Sequence, residues 1–126
     1  MTDYVWQFGV LYMVFSVFAA GFQMVLSMGA PLGHLTLGGR YAGALPIPVR
    51  FGAAFQGLLI LVLAGVVLDH AGVVALDTAS WAIWAPVGIM TLSSLGNLIT
   101  PSPAERRLWA PITLAMLGAA LVVALA

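Results

Sequence analysis

The sequence predicts an all-α membrane protein, in which four transmembrane helices form a compact bundle. Hydrophobic residues make up 63% of the 126-residue chain and charged residues only 6%, which leaves too little polar surface to cover a globule in water. The apolar residues also fall into four runs, each close to the roughly 20 residues that cross a hydrocarbon core. We therefore expect one transmembrane domain, residues 1–126, with the lipid bilayer as its solvent.

Polar or helix-breaking residues bound the four runs. The expected helices cover residues 4–28, 48–68, 80–99 and 103–126. Pro48 suits the first turn of the second helix, where no backbone N–H is needed. Ser102 and Glu105 have the spacing of a capping box, which starts the fourth helix at 103, and Pro111 predicts a bend within that helix. Glycines and prolines in segment 29–47 predict a long loop between the first two helices.

The distribution of charge predicts the orientation of the bundle. All four basic residues are arginines in the first and third loops or at the adjoining starts of the second and fourth helices, whereas segment 69–79 carries acidic residues without Lys or Arg. They are Arg40, Arg50, Arg106 and Arg107. By the positive-inside rule we expect loops 29–47 and 100–109 in the cytoplasm, with both termini and loop 69–79 outside. The expected location is the inner or plasma membrane of a cell.

Composition excludes several classes of function. A formal net charge of zero and the lack of a basic patch argue against a nucleic-acid partner. The absence of cysteine removes thiolate catalysis and cysteine-ligated metals. Apart from Arg50 and residues 105–107, near the starts of the second and fourth helices, no charged residue falls within the expected helices, so we expect no ion relay inside the membrane. Without a buried acid to hold a cation, a bound solute would be neutral or anionic. We also find no nucleophile–base pair, and we expect no catalytic residue, cofactor or metal.

Uncharged polar residues gather in the half of the bundle expected to face the cytoplasm. They lie at the end of the first helix, the start of the second and the end of the third, on the stripes that face other helices. We interpret them as a polar pocket that is open to the cytoplasm and covered by the first loop. The protein would then be a transporter, a channel or a ligand-binding membrane protein for a small neutral or anionic solute or a lipid head group. The candidate ligand-binding residues are Gln23, Ser27, His34, Arg40, Gln56, Ser93 and Asn97.

An alternative is that these polar groups only hold the helices together, since interhelical hydrogen bonds contribute roughly 0.6–2 kcal/mol each. The protein would then be a non-catalytic accessory or assembly subunit of a larger membrane complex. Small residues on the second and fourth helices, among them Ala115 and Ala119, predict a homo-oligomer or a partner membrane subunit. A void shared by Gln23, Gln56 and Asn97 would favour binding or transport, and mutual hydrogen bonds would favour the scaffold. A lipid-modifying enzyme would need His34 beside that void.

Overall fold

The computed structural model describes residues 3–126, and within that range the chain forms an all-helical bundle without strands. Residues 1 and 2, expected on the outer side of the membrane, lie outside the described residues. A 3₁₀ turn, Ser80–Ile83, leads directly into the third helix, and four helical segments are long and apolar enough to cross a membrane. The predicted fold class, a four-helix multi-pass membrane bundle, is confirmed. The helices are α1 (Asp3–Ser27), α2 (Ile47–His70), α3 (Trp84–Ile99) and α4 (Pro103–Leu125).

The helices form two antiparallel hairpins, α1–α2 and α3–α4, which pack together mainly through α1 and α4. In contrast, α2 and α3 touch little. We call the end with the first loop (residues 28–46) and the α3–α4 connection the loop end. The opposite end, with the start of α1, the end of α4 and the α2–α3 connection, is the terminal end. All four arginines lie toward the loop end, and α4 continues through Pro111, where the expected bend stays a prediction.

The main hydrophobic core fills the terminal half of the bundle. Its members come from all four helices and include several small residues, which let the helices approach closely. Because lipid tails are as apolar as leucine, this close packing and not the hydrophobic effect holds the helices together. The side chains most completely enclosed here include Tyr12, Ala64, Val67, Met116 and Ala120.

The small residues expected on an oligomer interface lie largely inside the bundle. Ala119 is only 1% exposed, and Ala53 and Gly57 are buried. A Cβ atom at Gly57 would lie 3.2 Å from the Cβ of Gln23, so glycine allows α2 to approach α1 closely. These residues therefore pack the helices of one chain together. A homo-oligomer or a partner subunit stays a prediction, and these buried residues do not argue for it.

The first loop is folded, although it lies between two transmembrane helices. It contains two 3₁₀ turns, Gly33–Leu35 and Leu37–Gly39. The Gly33 amide donates to the Gly43 carbonyl at 2.9 Å, and a Cβ atom at position 33 would come within 2.1 Å of the Tyr41 oxygen. Glycine is therefore required at this close backbone contact. We call residues 33–39, which contain both turns, the roof.

Two further contacts hold the rest of the first loop. Leu45 is buried and packs with Leu26 of α1 and Ala53 of α2 in a second, smaller core. The Arg50 Nε atom donates to the Leu45 carbonyl at 2.8 Å. This arginine therefore fastens the end of the loop to the first turns of α2, and its Nε donor is already in use.

One carboxylate organises the α2–α3 connection at the terminal end. Asp69 accepts backbone N–H groups of Leu76 and Thr78, both at 2.9 Å, and the Thr78 hydroxyl. It also accepts the Asp77 amide at 3.3 Å. The Asp69 oxygens are thus directed at donors of the following loop, which fixes the path of the chain from α2 toward α3.

Candidate ligand-binding cavity

A cavity of about 690 Å³ lies in the loop half of the bundle. Residues of α1 and α4 form its back wall, α2 and α3 form its sides, and residues 36–38 of the roof close the loop end. On the two sides, Phe55 is 67% exposed and Ile99 is 80% exposed, so the cavity opens between α2 and α3. Its volume falls in the range of roughly 300–1,000 Å³ that is typical of small-molecule sites.

Four of the candidate residues, Gln23, Gln56, Ser93 and Asn97, line this one cavity. The Asn97 Nδ2 atom donates to the Thr113 hydroxyl at 3.3 Å. Among the described residues, the side-chain amides of Gln23 and Gln56 have no hydrogen-bond partner, and the three carboxamides do not bond to one another. Gln23 is nevertheless only 8% exposed. The carboxamides therefore share a void, which is the arrangement expected to favour binding or transport over a scaffold.

The other three candidates do not line the cavity. The Ser27 hydroxyl donates to the Met24 carbonyl at 2.7 Å within α1. His34 and Arg40 are exposed, because the roof turns its backbone toward α4 and leaves these side chains outside. The His34 carbonyl, not its imidazole, makes the contact with α4, through the Ser102 hydroxyl at 2.9 Å.

The residue that sequence reasoning missed is Glu105. It is 8% exposed and lines the cavity. The predicted cap is present in part, since the Ser102 hydroxyl accepts the Glu105 amide at 3.2 Å. However, the carboxylate does not reach back to the Ser102 amide as a capping box requires. Its Oε1 atom accepts the Gly38 amide at 3.1 Å and the Thr100 hydroxyl instead. The expectation that the pocket holds no acid is therefore wrong.

Among the described residues, Glu105 is the one carboxylate that lines the cavity. Its Oε1 atom accepts two donors at the N-terminus of α4. No Lys or Arg lines the cavity in the described part of the chain. The neighbouring Arg106 is exposed and donates to the Thr100 carbonyl at 3.1 Å. An anionic solute, one of the expected ligands, would therefore meet repulsion here and not attraction.

Three hydrogen bonds fasten the roof to the start of α4. Besides the contacts of Glu105 with Gly38 and of Ser102 with His34, the Trp109 Nε1 atom donates to the Leu35 carbonyl at 2.9 Å. The Trp109 ring also packs edge-on against Phe22 of α1, with ring centroids 4.9 Å apart. The roof is thus held by residues far away in the chain. Because the Gly38 amide donates to Glu105, it is not available to bind an anion beside Arg40.

The cavity is polar toward the roof and apolar toward the centre of the bundle. Its deeper lining includes the buried side chains Leu63, Met90 and Met116. Among the described residues there is no group of three or more His, Cys, Asp and Glu side chains able to hold a metal ion. Such a graded lining suits a ligand with a hydrogen-bonding head and an apolar body.

Fold and cavity together define a small multi-pass membrane protein with a cavity between its transmembrane helices. No family model, no curated protein and no solved structure matches this chain. Its function is therefore inferred from the residues of the cavity themselves.

Proposed function

We propose that this protein binds a small amphiphile, with the head group against the polar residues near the roof and the apolar body toward the centre of the bundle. The observation that carries this proposal is the common void lined by Gln23, Gln56 and Asn97. A lipid or lipid-like solute fits it better than a small water-soluble solute, because the deeper half of the lining is apolar.

The unpaired amide of Gln23 supports a bound partner. Its polar atoms are not enclosed by protein but reach the cavity, and within a bilayer they need a hydrogen-bond partner there because neither lipid nor an apolar side chain offers one. A glutamine that only held helices together would bond to a neighbouring helix, as Asn97 does with Thr113. A ligand head group with both donors and acceptors would satisfy Gln23 and Gln56 at once.

The opening between α2 and α3 supports entry from the bilayer. Phe55 and Ile99 flank it, and both are apolar side chains on the outer surface of the bundle. By the positive-inside rule, the arginines at the same end favour an opening in the cytoplasmic half of an inner or plasma membrane. An amphiphile could therefore move sideways from the cytoplasmic leaflet into the cavity without crossing the membrane.

The test is to block the opening and measure what the purified protein carries. Gly96 lines the cavity, and a Cβ atom there meets nothing within 4 Å, so Gly96→Phe should place an aromatic ring at the opening without a clash at its Cβ atom. Gly88→Phe is the matched control, since Gly88 lies on the same helix, is equally open and does not line the cavity. Both variants remove a glycine from α3, which favours the helix to a similar extent.

Native mass spectrometry of protein extracted gently from its own membrane provides the readout. We expect a small-molecule adduct on the unmodified protein and on Gly88→Phe, and at least tenfold lower occupancy on Gly96→Phe. Equal occupancy in both variants would show that the adduct lies outside the cavity. A second polypeptide in fixed ratio, without any small molecule, would instead support an accessory subunit.

A further inference from the structure

We propose that the amphiphile carries a cationic head group, an ammonium, and that Glu105 binds it. This inference rests on the proposed function and specifies the ligand of the same cavity. It starts from the two oxygens of the carboxylate. The Oε1 atom accepts both donors that the protein supplies, from Gly38 and Thr100. The Oε2 atom has no partner among the described residues and is the acceptor that a ligand would use.

The balance of charge around Glu105 points to a cation. A buried carboxylate without a counter-charge is unfavourable in a low-dielectric setting. The lining of the cavity supplies no Lys or Arg in the described part of the chain, and the exposed Arg106 donates to a carbonyl. An ammonium would supply the missing charge. It would also form a charge-assisted hydrogen bond, roughly twice as strong as that of a neutral hydroxyl.

Aromatic and aliphatic side chains complete such a site. Trp109 lies one turn beyond Glu105 on α4, and Phe55 faces the same cavity from α2. Aromatic rings attract ammonium groups through the negative faces of their π-systems. From Glu105 to Met116, α4 rises by roughly 16 Å at 1.5 Å per residue, and the lining in between is mainly apolar. An alkyl chain can therefore extend from the carboxylate toward Met116.

Three amphiphiles that share one alkyl chain and differ in head group distinguish a cationic ligand from a neutral or an anionic one. Dodecylammonium, dodecanol and dodecanoate would be added at equal concentration to protein in maltoside micelles, and native mass spectrometry would measure the occupancy of each. Gly96→Phe gives the background from non-specific partitioning. Glu105→Gln keeps acceptor oxygen for Gly38 and Thr100 while it removes the charge, and its thermal stability is measured alongside.

We expect dodecylammonium to exceed dodecanol at least tenfold, with dodecanoate lowest, and Glu105→Gln to lower only the ammonium adduct, by tenfold or more. If dodecanol and dodecylammonium bind equally and Gly96→Phe abolishes both, the cavity binds amphiphiles and the role of Glu105 is refuted. If none of the three exceeds the Gly96→Phe background, the proposed function itself is refuted. The selectivity of the unmodified protein decides the question even if Glu105→Gln fails to fold.

Discussion

Replacing Ser102 with alanine should loosen the roof of the cavity from the start of α4. The Ser102 hydroxyl makes two bonds at once: it accepts the Glu105 amide at 3.2 Å as the N-cap of α4, and it donates to the His34 carbonyl at 2.9 Å. Alanine has the same backbone requirements at this buried position but neither hydrogen-bonding capacity. One substitution therefore removes both the cap of a transmembrane helix and one of three ties to the roof.

The two losses can be estimated separately. Removal of an N-cap hydroxyl costs about 1 kcal/mol, and loss of a neutral hydrogen bond costs about another 1 kcal/mol. We therefore expect the free energy of unfolding to fall by about 2 kcal/mol. The part that belongs to the roof, about 1 kcal/mol, corresponds to a roughly fivefold larger population of the detached roof.

Two measurements test these values. Reversible unfolding in mixed micelles of maltoside and dodecyl sulfate gives the free energy of unfolding. The rate of amide hydrogen exchange at residues 33–39 reports how often the roof detaches from α4. Ser80→Ala is the matched control, because Ser80 is exposed and its hydroxyl has no hydrogen bond in the described part of the chain; it should change stability by less than about 0.5 kcal/mol. The reasoning is refuted if Ser102→Ala leaves the exchange of the roof at the level of Ser80→Ala.

Two further predictions concern the roof and the orientation of the chain. Trp109→Phe removes the bond to the Leu35 carbonyl and keeps a ring against Phe22, so we expect a loss of roughly 1–2 kcal/mol and faster exchange of residues 33–39; an unchanged roof would argue against this tie. A reporter fused after Ala126 should be active only on the outer side of the membrane, since the arginines lie at the opposite end of the bundle. Activity in the cytoplasm would overturn the predicted orientation.

The helices and part of the cavity could be predicted because they depend on short-range properties of the sequence. Long apolar runs specify transmembrane helices by length alone. The spacing of Gln23, Gln56 and Asn97 from the ends of their helices sets their depth, and helical periodicity sets the face on which they lie. The three residues share one cavity for this reason. The N-cap role of Ser102 is likewise a local signal.

What could not be predicted depends on contacts between distant parts of the chain. Glu105 and Gly38 are 67 positions apart, and no local pattern indicates that this carboxylate would turn to the loop instead of its own N-cap. His34 and Arg40 are two positions before and after residues 36–38, which line the cavity. The 3₁₀ turns nevertheless leave both side chains exposed. The one available signal was the position of Glu105, in the first turn of α4 and five residues after Thr100, at the same end of the bundle as Asn97.

The closed core at the terminal end has a consequence for any movement of a ligand across the membrane. A solute that passed through would have to part Tyr12, Val67 and Met116, which are among the most enclosed side chains of the protein. A carrier would therefore need a second conformation in which that half opens while the roof half closes, at the expense of its tightest packing. A ligand that enters and leaves between α2 and α3 requires no movement of this core. If the proposed function holds, the bundle in this form would receive an amphiphile from one leaflet and return it to the same leaflet.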